Sequence, residues 1–180
     1  MRASKENKEE VPILDLIEDL GEISYQDRHQ ARLALVERGQ ESIPALIKAL
    51  ASPNRHVRWG AVQALGEIQA PDTAPVLVEM LKDEDPGVRW AARDSLIRMG
   101  RDSLYPLLEK YIEDFSSVLV RQGTQHILRE LAECHDLEEV QIQELDDLIT
   151  ENLADSASAS KLIRKARKVL DRLGEKEIYE

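Results

Sequence analysis

The 180-residue chain has one cysteine, few aromatic residues and no long apolar run. Cys134 has no partner for an intramolecular disulfide, which fits a reducing compartment, and we expect it to be a small hydrophobe in a helix and not a reactive thiol. No stretch approaches the roughly 20 apolar residues of a membrane span, and the first residues, MRASKENKEE, lack the apolar centre of a signal peptide. We therefore expect a cytoplasmic protein that does not bind a membrane.

The acidic charge balance limits the class of partner. The formal net charge is −11 at pH 7. Because nucleic-acid binding depends on basic side chains that neutralise phosphates, a nucleic acid is not the expected ligand. The hydrophobic content of 42% comes mainly from Leu, Ile, Val and Ala. Such a composition suits thin layers of stacked helices, in which each unit buries its apolar face on its neighbours.

Internal repeats determine the predicted fold. Pro44, Pro75 and Pro106 lie 31 residues apart, and each opens a similar apolar segment. Between them, VRWGAVQALGEI and VRWAARDSLIRMG recur at the same spacing. Self-similarity at a period of about 20 to 50 residues is typical of stacked repeats. Each unit predicts a first helix that begins at the proline and a second helix capped by a residue such as Asn54 or Asp85.

Weaker copies of the pattern extend it in both directions. We predict an all-α fold, a right-handed α–α superhelix (α-solenoid) of about five helical hairpins. Gly100 and Gly174 are expected to end second helices. The predicted parts are a flexible N-terminal segment at 1–10, repeats at about 11–39, 43–68, 74–100 and 105–131, a divergent pair at 137–174 and a C-terminal tail at 175–180.

The recurring motif Val-Arg-x-x-Ala-x-x-x-Leu-x-x-(Ile/Met) resembles the short HEAT-like repeats of phycobilisome lyase subunits and of prokaryotic scaffolds. The resemblance covers residues 11–131 well and 137–174 weakly. It implies that the second helices line the concave face. It also implies a structural role for the arginine after the valine, whose head meets an acid near the adjacent turn, with Asp85 and Asp114 as candidates. The equivalent arginines are Arg28, Arg58, Arg89 and Arg121.

Trp59 and Trp90 are the clearest binding candidates on that face. They occupy equivalent positions of adjacent repeats, and packed helices lie about 8 to 10 Å apart, so their rings would form neighbouring apolar platforms. The small residues that follow them, Gly60 and Ala91, are expected to leave room beside the rings. Tryptophan is common among binding hot spots. The open alternative is that both rings lie flat on the helices as packing.

Polar residues on the same predicted face are further candidates for contacts with a partner. The three histidines among them belong to three different repeats, which is too wide a spread for one metal ion. We therefore predict no metal site, and we predict no cofactor. These candidates are His29, His56, Gln63, Asp94, Gln122 and His126.

The C-terminal helix is basic in an otherwise acidic chain. The repeat register places four of its basic residues on the groove, where an acidic segment of a partner would engage them. The alternative is a solvated cap beside the acidic segment 138–151. The four residues are Arg164, Lys165, Lys168 and Arg172.

No nucleophile–base pair, glycine-rich phosphate loop or zinc-spaced cluster is evident in the sequence. We therefore expect a non-catalytic, monomeric adaptor that binds a protein or peptide partner on its concave face. Two alternatives stay open. Trp90 with Asp94 is similar to the tryptophan and aspartate arrangement of HEAT-like alkylpurine DNA glycosylases. The repeat subtype also suggests a tetrapyrrole lyase or chaperone subunit, in which a planar tetrapyrrole stacks on Trp59 and Trp90.

Overall fold

The computed structural model describes residues 11–133 and 156–177, and every regular element in those ranges is helical. The prediction of an all-α fold built from two-helix units is therefore confirmed. Within these ranges, no helix combines the length and the apolar character needed to cross a bilayer. The predicted segments 1–10 and 137–153, Cys134 and residues 178–180 lie outside the described residues. The helices are α1 (Ile13–Asp19), α2 (Tyr25–Arg38), α3 (Ile43–Ala49), α4 (Arg55–Ile68), α5 (Ala74–Glu79), α6 (Pro86–Met99), α7 (Leu104–Glu113), α8 (Val118–Glu133) and α9 (Ser156–Glu177).

Successive hairpins stack through equivalent helices. The helices α2, α4, α6 and α8 contact one another in chain order, and we call them the second-helix layer. On the other side of the stack, α1 contacts α3 and α5 contacts α7. The apolar positions predicted from the repeat, such as Leu46, Leu65 and Leu96, are fully buried in one continuous core between the layers. This arrangement is the solenoid that the repeat spacing predicts.

The first helices begin slightly before the repeated prolines. α3 and α5 start at Ile43 and Ala74, so Pro44 and Pro75 are their second residues, and Pro106 is the third residue of α7. The prediction that each first helix begins at its proline was thus late by one or two residues. Proline is tolerated throughout this first turn because the N–H that it lacks would have no intrahelical acceptor there.

The second helices have well-defined ends. Oδ1 of Asn54 accepts a hydrogen bond from the backbone N–H of His56 at 2.9 Å, and Oδ1 of Asp85 accepts one from Gly87 at 2.8 Å. Gly100 follows Met99, the last residue of α6, and its φ of 59° is readily adopted by glycine. The predicted caps Asn54 and Asp85 and the predicted stop at Gly100 are confirmed.

An arginine at the fourth position of each second helix ties that helix to the turn before it. In all four hairpins Nη1 of this arginine donates to the backbone carbonyl oxygens five and six residues earlier, at 2.6 to 3.3 Å. These hydrogen bonds confirm the structural role of the arginines. The pairs are Arg28 with Glu22 and Ile23, Arg58 with Ser52 and Pro53, Arg89 with Asp83 and Glu84, and Arg121 with Phe115 and Ser116.

The acidic partner of these arginines differs from the prediction. Nε and Nη2 of Arg58 lie 2.8 and 3.0 Å from the two carboxylate oxygens of Asp83, and both side chains are at most 7% exposed. Asp85 instead caps α6, and Asp114 pairs with Lys82 at 2.7 Å. The assignment of Asp85 and Asp114 was therefore wrong, because the cap and the lysine already engage those carboxylates.

The C-terminal helix leaves the predicted register. α9 packs against α7, on the first-helix side of the stack, and its buried residues are Leu162, Ala166 and Val169. It also continues through Gly174, where we predicted its end, to Glu177. The buried stripe of α9 thus covers the end of the first-helix side and does not extend the second-helix layer.

The buried ion pair of Arg58 gives a stability prediction. Arg58→Ala leaves the carboxylate of Asp83 buried without its guanidinium, and we expect a loss of about 3 to 5 kcal/mol in the free energy of unfolding. Arg89→Ala removes only the hydrogen bonds to carbonyl oxygens, and we expect about 1 to 3 kcal/mol. Urea unfolding followed by circular dichroism measures both. If Arg58→Ala lowers the free energy of unfolding no more than Arg89→Ala does, the ion pair is not the stronger constraint.

Candidate functional site

A pocket of about 300 Å³ opens where α2, α4 and α6 begin. Two aromatic rings and an imidazole supply its flat walls. Two guanidinium groups and one carboxylate supply its charge, so the pocket carries more positive than negative charge in an acidic chain. The lining residues are Tyr25, Arg28, Arg55, His56, Trp59 and Asp85.

The two tryptophans have different surroundings. Trp59 is partly buried, packs against the core and lines the pocket. Its ring reaches the start of α6, since a Cβ placed on Gly87 would lie 4.0 Å from Cδ1 of Trp59. Trp90, at the equivalent position of α6, is 53% exposed. Trp59 therefore serves both packing and the pocket wall, whereas Trp90 presents about half of its surface to solvent.

The small residues after the tryptophans do not widen the groove. Gly60 and Ala91 are both buried. A Cβ on Gly60 would lie 2.8 Å from Cδ2 of Leu20, so the absence of a side chain lets α4 approach the end of α1. The expectation that these residues leave room beside the rings was wrong, because they lie on the packed side of their helices.

His29 is held beside the pocket by its neighbours. Its ring stacks on Tyr25 with the centroids 5.9 Å apart and an interplanar angle of 8°. Its Nδ1 lies 2.9 Å from Nη2 of Arg32, and Arg32 forms an ion pair with Glu67. This chain of contacts joins α2 to α4. His29 thus supports the Tyr25 wall without lining the pocket itself.

His56 lines the pocket in a positively charged environment. Desolvation, followed by the charges of Arg28 and Arg55, lowers the pKa of His56, and Asp85 opposes this shift. Desolvation alone would raise the pKa of Asp85. The backbone N–H groups of Val88 and Gly87 and the Arg55 guanidinium outweigh it and lower that pKa. At neutral pH the pocket therefore holds a neutral imidazole, an ionised aspartate and two arginines.

Gln63 and Asp94 face a narrow crevice between α4 and α6. The crevice has a volume of about 10 Å³, and the carboxylate of Asp94 lies 2.9 Å from Nη2 of Arg98. Oε1 of Gln63 is buried and has no hydrogen-bond donor among the described residues. A paired carboxylate beside so small a space does not support the role that the glycosylase alternative assigned to Asp94.

The other candidate residues lie away from the pocket. Gln122 and His126 are exposed on α8, and Nδ1 of His126 is 4.0 Å from Glu130. On α9, Arg164, Lys168 and Arg172 are exposed and Lys165 is half-buried. Because α9 packs on α7, the structure does not align these four basic residues with the tryptophans, as the predicted register did. Within the described ranges, no three side chains of the kinds that ligate metals converge.

Sequence reasoning missed four of the six pocket residues. Tyr25 lay outside the repeat motif and Arg28 was treated as scaffold. Arg55 fell on the predicted groove stripe but was not named as a binding residue, and Asp85 was predicted only as a helix cap and as an arginine partner. The available signal was a break in the repeat: Arg55 and His56 at the start of α4 correspond to Pro86 and Gly87 at the start of α6. Positions at which a repeat departs from itself carry individual rather than shared roles.

Comparisons with known proteins agree with the architecture. Residues 13–97 and 43–129 match the family model of HEAT repeats. One similar solved structure is the complex of CpcE and CpcF of phycocyanin lyase from Nostoc sp. PCC7120, with a TM-score of 0.56 and 24% identity over 86% of this chain and 97% of that chain. At this identity the likeness concerns the fold alone. No curated protein matches the chain.

The electrostatics of the pocket predict the titration of His56. We expect its pKa to lie below about 6.5, the usual value for histidine. Arg55→Ala should raise this pKa, because the variant removes a cation and leaves Asp85 without its arginine. Two-dimensional NMR of the imidazole resonances across pH measures the value, and His56→Gln assigns the signal. A pKa at or above 6.5 in the wild type would contradict the arrangement of charges.

Proposed function

Because this chain belongs to the HEAT-repeat family, we propose that it is a non-catalytic scaffold that binds a protein or peptide partner on its second-helix layer. The observation that carries the proposal is the 53% exposed indole of Trp90, one repeat along from the Trp59 pocket. Aromatic residues are enriched at protein–protein interfaces relative to the rest of the protein surface. Tryptophan is also over-represented among residues that dominate binding energy.

The layer around Trp90 is rigid enough to act as a binding platform. Oγ of Ser95 donates to the carbonyl oxygen of Val62 at 3.2 Å, which joins α6 to α4. The Arg58–Asp83 ion pair joins the start of α4 to the turn before α6. A surface that is already ordered loses little conformational entropy when a partner binds. The same two contacts therefore support both the fold and the proposed interface.

The chemistry of the pocket residues supports a binding role over a catalytic one. Of its six lining residues, only His56 is of the residue type that commonly serves as a general base near neutral pH. The lining contains no serine, threonine or cysteine that a base would activate. Guanidinium groups and indoles bind and orient ligands without exchanging protons at neutral pH.

A second candidate is a subunit that helps to handle a tetrapyrrole. The fold likeness to a chain from the CpcE–CpcF phycocyanin lyase complex favours it, and so does the indole wall of the pocket. The test is to add a free bilin to the purified protein and to record the absorbance spectrum of wild type and Trp59→Phe. This candidate requires a spectral shift that Trp59→Phe weakens. An unchanged wild-type spectrum would remove it.

The scaffold proposal predicts a specific effect of Trp90→Ala. Proteins captured by the tagged wild-type chain from its native source are identified by mass spectrometry, and each is then titrated as a purified protein. We expect Trp90→Ala to weaken the true partner by at least about tenfold, while helicity and melting temperature stay the same because the ring is half in solvent.

The matched control for this experiment is Tyr105→Ala. Tyr105 is 39% exposed on α7, outside the second-helix layer, so its loss should leave partner affinity unchanged. If Tyr105→Ala weakens binding as much as Trp90→Ala does, the assignment of the interface to the second-helix layer is wrong. If Trp90→Ala lowers the melting temperature, the ring has a structural role that this account does not give it.

A further inference from the structure

We propose that the pocket lined by Tyr25, Arg28, Arg55, His56, Trp59 and Asp85 recognises an acidic side chain in an extended segment of the partner protein, together with an adjacent apolar side chain. The inference rests on the proposed function, because it names the chemistry by which the second-helix layer would hold its partner. It moves the expected acidic contact from the basic helix α9 to the start of α2 and α4.

The charge of the pocket matches a single carboxylate. Arg28 and Arg55 face one acid, Asp85, whose Oδ2 lies 3.4 Å from Nη1 of Arg55. Both hydrogen bonds of Arg28 are donated by Nη1, and its Nε and Nη2 have no acceptor among the described residues. One positive charge is thus left for a ligand. A monoanion balances that charge, whereas a dianionic phosphate would bring excess negative charge next to Asp85.

The arginines are placed to hold a planar acid. Hydrogen bonds to the turn carbonyls fix the Arg28 guanidinium, which also lies 6.0 Å from the ring centroid of Tyr25. The side chain of Arg55 is 65% exposed and leans on Asp85 through a long contact. A fixed guanidinium and an adjustable one on the same pocket suit a carboxylate, which accepts hydrogen bonds from two directions.

The aromatic walls of the pocket account for the apolar side chain that we place next to the acidic one in the partner segment. The rings of Tyr25 and Trp59 face the same opening as the guanidinium groups. The ring of Trp59 is already packed on one side against the core, so Trp59 itself loses little conformational entropy when an apolar side chain binds it. An acidic residue followed by an aromatic residue satisfies both kinds of wall at once.

The surroundings of the pocket favour a peptide over an isolated small molecule. Gly87, which approaches Trp59, is followed one helical turn later by the exposed Trp90, and residues three apart lie on the same helix face. Neighbouring packed helices are about 8 to 10 Å apart, which an extended chain spans in about three residues. A partner segment anchored in the pocket therefore reaches Trp90 with a second apolar side chain.

The test is an NMR titration of the full-length chain with defined probes. The first probe is acetyl-Glu-Phe-amide, and its neutral isostere acetyl-Gln-Phe-amide is the charge control. Signals from the Trp59 indole and the His56 imidazole report on the pocket. We expect the glutamate probe to bind at least about tenfold more tightly than the glutamine probe, and to raise the pKa of His56 by adding a negative charge beside it.

Variants assign this discrimination to the pocket. Arg55→Gln should remove the difference between the two probes, and Arg55→Lys should retain part of it because lysine keeps the charge without the planar fork. Arg98→Gln is the matched control. Arg98 is a half-exposed arginine on α6, outside the pocket and paired within its own helix. Acetyl-Gly-Phe with a free C-terminal carboxylate shows whether a chain end serves as well as a side chain.

Several results would overturn the inference. These are equal affinity for the two dipeptides, an unchanged difference in Arg55→Gln, tighter binding of inorganic phosphate, or no shift at the Trp59 indole and the His56 imidazole. Self-association that the glutamate probe reverses would make a second copy of this chain the occupant instead of a different protein.

The same variants separate this inference from the proposed function. If the identified partner is lost with Trp90→Ala but binds Arg55→Gln normally, the second-helix layer is the interface and the acidic-segment assignment is wrong. If neither variant affects the partner, the proposed interface itself is wrong. Loss of binding in both variants, with wild-type melting temperatures, is the expected result.

Discussion

The hydrogen bonds from one arginine in each repeat to the turn before it are the constraint on which the described structure depends. They hold each second helix at a fixed angle to the chain that enters it, and they satisfy carbonyl oxygens that have no helical partner. In the second hairpin, Arg58 also pairs with buried Asp83, and so ties its own turn to the next one. Stacking of equivalent helices follows from repeating this local geometry.

That constraint also produces the pocket. Because each second helix starts from a fixed turn, the beginnings of α2, α4 and α6 are brought together, and the residues there face a common opening. Arg28 takes part in both, since its Nη1 donates to the turn carbonyls while its side chain also lines the pocket. Arg28 thus has the structural role that the equivalent arginines share, and it has a second role in the pocket because its neighbours differ from those of the other arginines. The pocket exists at this place because α4 begins with Arg55 and His56, whereas α6 begins with Pro86 and Gly87.

The sequence was sufficient to predict the features that recur. Short-range spacing that occurs in several repeats was enough to predict the caps at Asn54 and Asp85 and the burial of Leu65 and Leu96. Features that depend on one contact between distant residues were not predictable in this way. The ion pair of Arg58 with Asp83 is such a feature, because Asp83, Glu84 and Asp85 are three consecutive acids. Only the folded turn buries Asp83 against Arg58, exposes Glu84 and directs Asp85 to the helix cap.

The predicted position of α9 was wrong for a related reason. Its apolar spacing was compatible with either side of the stack, and only packing against α7 selects one. The pocket was likewise predictable only in part: Trp59 and His56 were named as binding residues from the register, whereas Tyr25, Arg28, Arg55 and Asp85 were not. The pocket is formed by residues from the starts of three helices, and the sequence of one repeat does not show that these residues meet.

We propose that this chain binds its partner on the second-helix layer, from the pocket to Trp90. Amide hydrogen exchange of the free and partner-bound chain tests it most directly, because protection is read along the whole backbone. We expect the bound partner to slow amide exchange in the first turns of α4 and α6 and to leave the exchange rates of α3 and α5 unchanged. Protection confined to α3, α5 and α7 would contradict it.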